Sequence, residues 1–296
     1  MACIAAIAFI ALASSLAAQA PASDVYLVGL TVSDRAPAGL AVGAPLNITR
    51  RAGYDNQPAF MADERAVFYT SIRDDGQADI YRYDIGTRET TRLTGAPESE
   101  YSPTMMPGGR RFSVVRVERD SAQRLWSFAL DGSDPQLVLR TIKPVGYHAW
   151  LDADRVAAYV LGRPATLQVV DLRSEHADTV ANDIDRSLSP IAAGSASFVQ
   201  RAADGQLTLE RLSINATGTP RTERVATLPA GAAFVVWTAN GVAITASGSK
   251  LYTLHPKQSS WELAADLAKD GITNISRLAI SPNGHWLAFV ADDAKP

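Results

Sequence analysis

The side chains able to do acid–base, nucleophilic or metal chemistry are few and scattered. The histidines stand at 148, 176, 255 and 285, whereas a catalytic metal calls for clustered His and carboxylates. Cys3 is the only cysteine and lies ahead of an apolar leader, so a chain cut after that leader has no thiol for a nucleophile, a disulfide or a thiolate site. A serine nucleophile is commonly presented on a Gly-x-Ser-x-Gly elbow, and none occurs. Gly194-Ser195-Ala196 and Gly248-Ser249-Lys250 read as hairpin turns. Asp74-Asp75, Asp152 and Asp154 suit hydrated turns better than calcium ligation. The expectation is therefore no catalytic residues, no metal and no cofactor. A different set does recur, at intervals of about 45 residues: Tyr54-Asp55-Asn56, Glu100-Tyr101 and Tyr147-His148, followed by Arg186-Ser187 and Asn274. Aromatic and polar groups gathered in one place suit recognition, so Asp55, Asn56, Glu100, Tyr101, Tyr147 and His148 are the candidate binding residues.

Whether these residues meet depends on the elements that carry them. NQPAFMADERAVFYTS from Asn56, YSPTMMPGGRRFSVVR from Tyr101 and YHAWLDADRVAAYVLG from Tyr147 are copies of one pattern. Pro58, Pro103 and His148 fall 45 apart, as do Phe60, Met105 and Trp150, and Arg65, Arg110 and Arg155. Each copy reads as short β-rich stretches separated by Gly, Asp or Pro turns. In the first copy these are Gln57–Phe60, Ala66–Ser71, Asp79–Asp84 and Glu89–Leu93. Four strands per repeat of this length is the pattern of a β-propeller blade. Looser copies follow from Leu188, Phe234 and Ile275.

The sixth copy holds only two strands, Ile275–Ile280 and Trp286–Val290. The missing pair is expected at the other end, in Val25–Thr31 and Leu46–Thr49, with Ser33–Ala44 a surface loop between them. The fold class is thus all-β: a six-bladed propeller of four-stranded antiparallel blades, the last completed by N-terminal strands. In that arrangement the candidate residues sit in loops before the innermost strands and converge on a funnel around the axis. His148 stands near the start of such a strand, facing the channel. Tyr101 and Tyr147 have a second reading, as plugs packed in the channel mouth.

The motifs carry a family resemblance. SPNGHWLAFVAD near the C-terminus is similar to the Ser-Pro-Asp-Gly-Lys-x-(apolar)-Ala-Phe-x-Ser-Asp motif of TolB-type propellers. ADIYRYDIGTRETTRLT and RLWSFALDG fit that family's strand pairs. The resemblance spans about Val25 to Asp293, without the family's additional N-terminal α/β domain. It implies a propeller and leaves function open.

Composition narrows the compartment and the partners. Net charge is −3 and the Lys and Arg are dispersed, which excludes the basic footprint of nucleic-acid binding. Ile4–Leu16 is apolar and precedes Ala17-Ala18-Gln19-Ala20, a small-x-small cleavage pattern. Residues 1–20 read as a secretory signal peptide, and 21–296 as one propeller domain with outer strands from about 25–49 and repeats from about 50. No later stretch has membrane-spanning length. The expectation is a monomeric periplasmic or secreted module that binds an envelope protein or peptide through its funnel face. The alternatives are a polysaccharide lyase or hydrolase with a metal in the axial channel, and the accessory propeller of a longer peptidase-like chain. N-terminal sequencing of the exported protein is expected to start between Ala18 and Ser23; recovery of Met1 would refute export by cleavage.

Overall fold

The computed structural model describes residues 21–32 and 37–292; the expected signal segment lies outside them. The elements are β-strands apart from two short 3-10 turns, Pro37–Gly39 and Ala268–Asp270. Among the described residues no helix is long and apolar enough to cross a membrane.

The strands group by repeat. Unit one comprises Tyr54–Phe60, Ala66–Ile72, Ala78–Asp84 and Thr90–Arg92. Unit two comprises Ser99–Met105, Arg111–Val117, Gln123–Ala129 and Gln136–Leu137. Unit three runs Val145–Trp150, Arg155–Val160, Thr166–Asp171 and Ala177–Asn182. Unit four runs Ile184–Ala192, Ser195–Arg201, Leu207–Ile214 and Pro220–Thr227. Unit five runs Val235–Trp237, Ala243–Ser247, Lys250–Leu254 and Glu262–Asp266. Within each unit consecutive strands pair antiparallel.

The last strands, Arg277–Ile280 and Trp286–Asp292, pair with the N-terminus. Ser23–Val32 lies antiparallel to Trp286–Asp292, from Ser23 opposite Asp292 to Gly29 opposite Trp286. Leu46–Asn47 then pairs with Leu27 and Tyr26. This strand is shorter than the expected Leu46–Thr49, because side chains take over from the ladder. Thr49 Oγ1 accepts the Val25 N–H at 3.0 Å and donates to Asp24 Oδ1 at 2.7 Å. The expected loop Ser33–Ala44 is corrected as well: Leu40–Val42 pairs with Leu30–Val32. The reason is burial, since Leu40 enters the same apolar cluster as Leu30.

Each strand feeds two cores by its period of two. Val67 and Tyr69 pack with Val25, Leu27, Ala288 and Val290, while their neighbours Ala66 and Phe68 pack with Phe112, Val114 and Phe128 of unit two. Units two and three share Val115, Leu125, Val156 and Ala158, and units three and four share Ala157, Tyr159, Ala196 and Phe198. Val199 and Leu209 meet Val235 and Trp237 between units four and five. Ile244 and Leu251 of unit five meet Tyr26, Val28, Leu287 and Phe289. Tyr26 and Phe289 stack at 5.4 Å.

A chain beginning at Arg50 loses Ser23–Val32 and leaves Trp286–Asp292 as an open edge able to pair with other chains. It is expected to aggregate or to melt roughly 10 °C or more below the longer chain. Equal melting temperatures with a monomeric elution profile would refute the role assigned to this pairing.

Candidate functional site

The first strand of each early repeat is bent where it meets the axis. Its register shifts between Asn56 and Ala59, between Tyr101 and Thr104, and between Val145 and Tyr147. In the first two, the residue before proline is left-handed, Gln57 with φ 58° and Ser102 with φ 55°. Proline supplies no N–H to the ladder, so pairing lapses there and the strand takes a bulge. The bulge turns Gln57 toward the next unit, so that its Oε1 accepts the Ser102 N–H there at 2.8 Å and the Thr70 hydroxyl of its own unit at 2.9 Å.

The first strands of units one to four, and the corresponding segments of the last two, deliver residues to one cavity of about 120 Å³. It is lined by Gln57 and Pro58, Ser102 to Thr104, Tyr147 and His148, Arg186 to Ser189, Phe234 to Val236, and Arg277 with Leu278. Arg277 lies over the Tyr147 ring at 4.6 Å and the Phe234 ring at 4.4 Å, a cation–π arrangement that fixes its plane. Its Nη2 donates to the Tyr147 hydroxyl at 2.7 Å, and the Tyr147 ring meets Tyr159 edge-on at 5.6 Å. Burial pushes the Tyr54 phenol up to about 12, against the pull of Arg277, so it stays neutral.

His148 forms part of the wall. Its Nε2 is 2.6 Å from Ser113 Oγ, which also accepts the Trp150 indole N–H at 2.9 Å. Its Nδ1 is buried without a hydrogen-bond partner. Burial holds the ring down to about 3, which makes it a neutral contact group and a poor physiological proton shuttle. Ser102 Oγ is likewise buried and unpartnered. Leaving such a group unmet costs about 1–3 kcal/mol, and both atoms are enclosed by the surrounding protein.

The candidate residues therefore divide. Tyr147 and His148 line the cavity. All six lie within strands, where loops ahead of the strands were expected, because each first strand starts several residues earlier than its β-rich core. Asp55 and Glu100 are fully buried and are not presented at the opening. Asp55 Oδ2 accepts from Arg51 Nη1 at 2.8 Å, and burial raises its carboxyl above the usual range. Glu100 Oε1 lies 3.0 Å from Arg116, whose guanidinium sits over Trp126 at 4.6 Å. Asn56 is half-buried and reaches Ser23 Oγ at 3.3 Å. Tyr101 is half-buried against the cluster of units two and three. Asn274 is exposed and tied to Asp292.

Arg277 and Phe234 escaped sequence reasoning. For Arg277 a signal existed: the offset that places His285 on Arg65 also places Arg277 on Gln57, in register with Ser102 and Tyr147. Of the remaining histidines, His176 and His285 are exposed, and His255 Nε2 lies 2.8 Å from the Ala38 carbonyl.

Glu100 generates a pH prediction. Its carboxyl is raised by burial from 4.5 to about 7 despite Arg116, consistent with an Oε2 that has no partner. Between those two values the folded state holds a proton that the unfolded state has released, so stability falls as pH rises through that window. A loss of roughly 2–3 kcal/mol is expected between pH 4.5 and 7.5, and Glu100→Gln is expected to flatten it. Urea unfolding at both pH values reads the slope; an unchanged slope in the variant would refute the assignment.

No protein-family model matches the chain. Solved structures do resemble it. A protein assigned as TolB from Agrobacterium tumefaciens superposes with a TM-score of 0.67 at 14% identity, over 92% of this chain and 98% of that one. A gluconolactonase from Xanthomonas campestris gives 0.62 at 10% identity, over 92% and 98%. An oligogalacturonate lyase in complex with manganese gives 0.55 at 12%, over 84% and 79%. Among the described residues no three His, Cys, Asp or Glu stand together to hold a metal, and both charged groups lining the cavity are guanidinium. At these identities the likeness is one of architecture, and it shows that the chain has the fold of TolB-type and related β-propellers.

Proposed function

We propose that this chain is an exported recognition module: a six-bladed propeller that grips an envelope protein or peptide at its axial mouth and performs no catalysis. In this reading Ser23–Val32 and Leu46–Asn47 complete the sixth blade and clasp the ring. The run of six apolar clusters, each shared by two successive units, supports that closure. Export rests on the apolar run Ile4–Leu16 and the small-residue pattern after it, and places the mature protein in the periplasm or outside the cell as a monomer.

The observation that carries the recognition reading is the lining of the axial cavity. It brings Tyr147, Arg186, Phe234 and Arg277 to one opening with no carboxylate in the lining. Tyr and Arg are the side chains over-represented among binding anchors. An acid–base pair is missing from the lining, and His148 is neutral. Tyr101 and Asn56 extend the contact surface, while Asp55 and Glu100 hold the first strands from within.

Capture from envelope extract by the tagged mature chain tests this. Arg186, an exposed side chain, and Tyr147 are each expected on replacement by Ala to cut capture at least tenfold, about 1.4 kcal/mol or more. Thr91→Ala on an outer strand is expected to leave it unchanged. Arg186→Ala and Tyr147→Ala proteins that fold and capture the partner as well as the parent would move recognition to another face.

A further inference from the structure

The axial cavity carries charge of one sign. Arg186 and Arg277 line it, and no Asp or Glu does. Several guanidinium groups elsewhere have a carboxylate partner, Arg51 with Asp55, Arg92 with Asp79 and Arg116 with Glu100 among them, and others such as Arg73 and Arg110 have none among the described residues; what distinguishes Arg186 and Arg277 is that they share one cavity. Neither cavity arginine has an ion-pair partner among the described residues. Arg277 is half-buried, its plane held between the rings of Tyr147 and Phe234. The Tyr147 hydroxyl is its one hydrogen-bond acceptor among the described residues.

Behind the cavity, the Ser113 hydroxyl donates to the Thr104 carbonyl at 3.2 Å and lies 2.6 Å from His148 Nε2, so the imidazole is held by the wall. Apolar side chains, Pro58, Pro103, Leu188, Val236 and Leu278, share the wall with polar ones. An acceptor that is anionic and planar matches a guanidinium fork. An apolar stem behind it matches those apolar side chains, which give nothing to the hydration shell of an inorganic anion.

We propose that the axial cavity binds the carboxylate end of an organic anion bearing a short apolar stem, with Arg277 as the fixed fork and Arg186 as the gate charge. Such an end is found on a peptide C-terminus or an acidic side chain of a partner. The inference rests on the recognition reading and gives that site its chemistry. A cavity of about 120 Å³ admits a small carboxylate head and excludes a folded domain.

Calorimetric titration of the mature chain with sodium butyrate, butyramide and inorganic phosphate at constant ionic strength tests it. Butyrate is expected to bind at least tenfold more tightly than butyramide, and phosphate is expected not to displace it. Arg277→Gln is expected to weaken butyrate at least tenfold, with the melting temperature recorded alongside. Arg186→Gln, at an exposed position, serves as the second variant, with a smaller loss. Equal binding of butyramide, displacement by equimolar phosphate, or unchanged affinity in both folded variants would each overturn the proposal. Butyrate failing to bind while capture at this face persists sinks the carboxylate inference alone. Butyrate binding while capture ignores this face sinks only the recognition reading.

Discussion

A four-stranded sheet of some forty residues has two apolar faces and cannot bury either by itself. Everything else in this protein follows from the way that problem is met. The apolar clusters of the described residues each draw on two successive units, so each sheet is sandwiched and its strands alternate between two cores. Ala66 and Phe68 face one neighbour, Val67 and Tyr69 the other. A strand buried on both sides loses the polar–apolar alternation of a surface strand, which is why AVFYTS and RVAAYV read as nearly continuous apolar runs.

Sandwiching also explains how buried charge is tolerated. Asp55 and Glu100 occupy the same repeat position, fully inside the packed zone near the axis. Each retains one guanidinium partner and one oxygen without any. Such a pair gives little net stabilisation, because desolvation offsets much of the attraction. What it supplies is placement: the first strand is anchored from behind while its bulge turns the next residues to the axis. Gln57 and Ser102 are those residues, and Tyr147 and Arg277 stand at the same place in later repeats, four side chains of different chemistry.

The axial lining therefore varies while its scaffold repeats. That separation is consistent with one architecture serving a TolB-assigned protein, a lactonase and a lyase, and it is why the fold leaves function to the lining. In this chain both charged groups of the lining are guanidinium, and Arg277 is set against the rings of Tyr147 and Phe234.

The amino-acid sequence by itself determined the architecture. A 45-residue period, strand-forming runs and Gly, Asp or Pro turns are local signals, and local signals survive without coordinates. They set the third strand of unit one, expected over Asp79–Asp84, to within one residue of the observed Ala78–Asp84, and brought VYLVGLT from the N-terminus beside the last repeat. The tertiary structure decided which side chains face the axis. Asp55 and Tyr147 look alike in the sequence, as polar or aromatic residues ahead of a strand, yet Asp55, two positions earlier in the repeat, is sealed against Arg51, while Tyr147, just past the bulge of its strand, reaches the cavity. Register at a bulge depends on packing against neighbouring units, and a one-residue slip reverses the facing of every side chain after it. Arg277 shows the same limit: its repeat position was legible in the spacing, but its pairing with Tyr147, 130 residues away, exists only because the first strands of distant units meet at one axis.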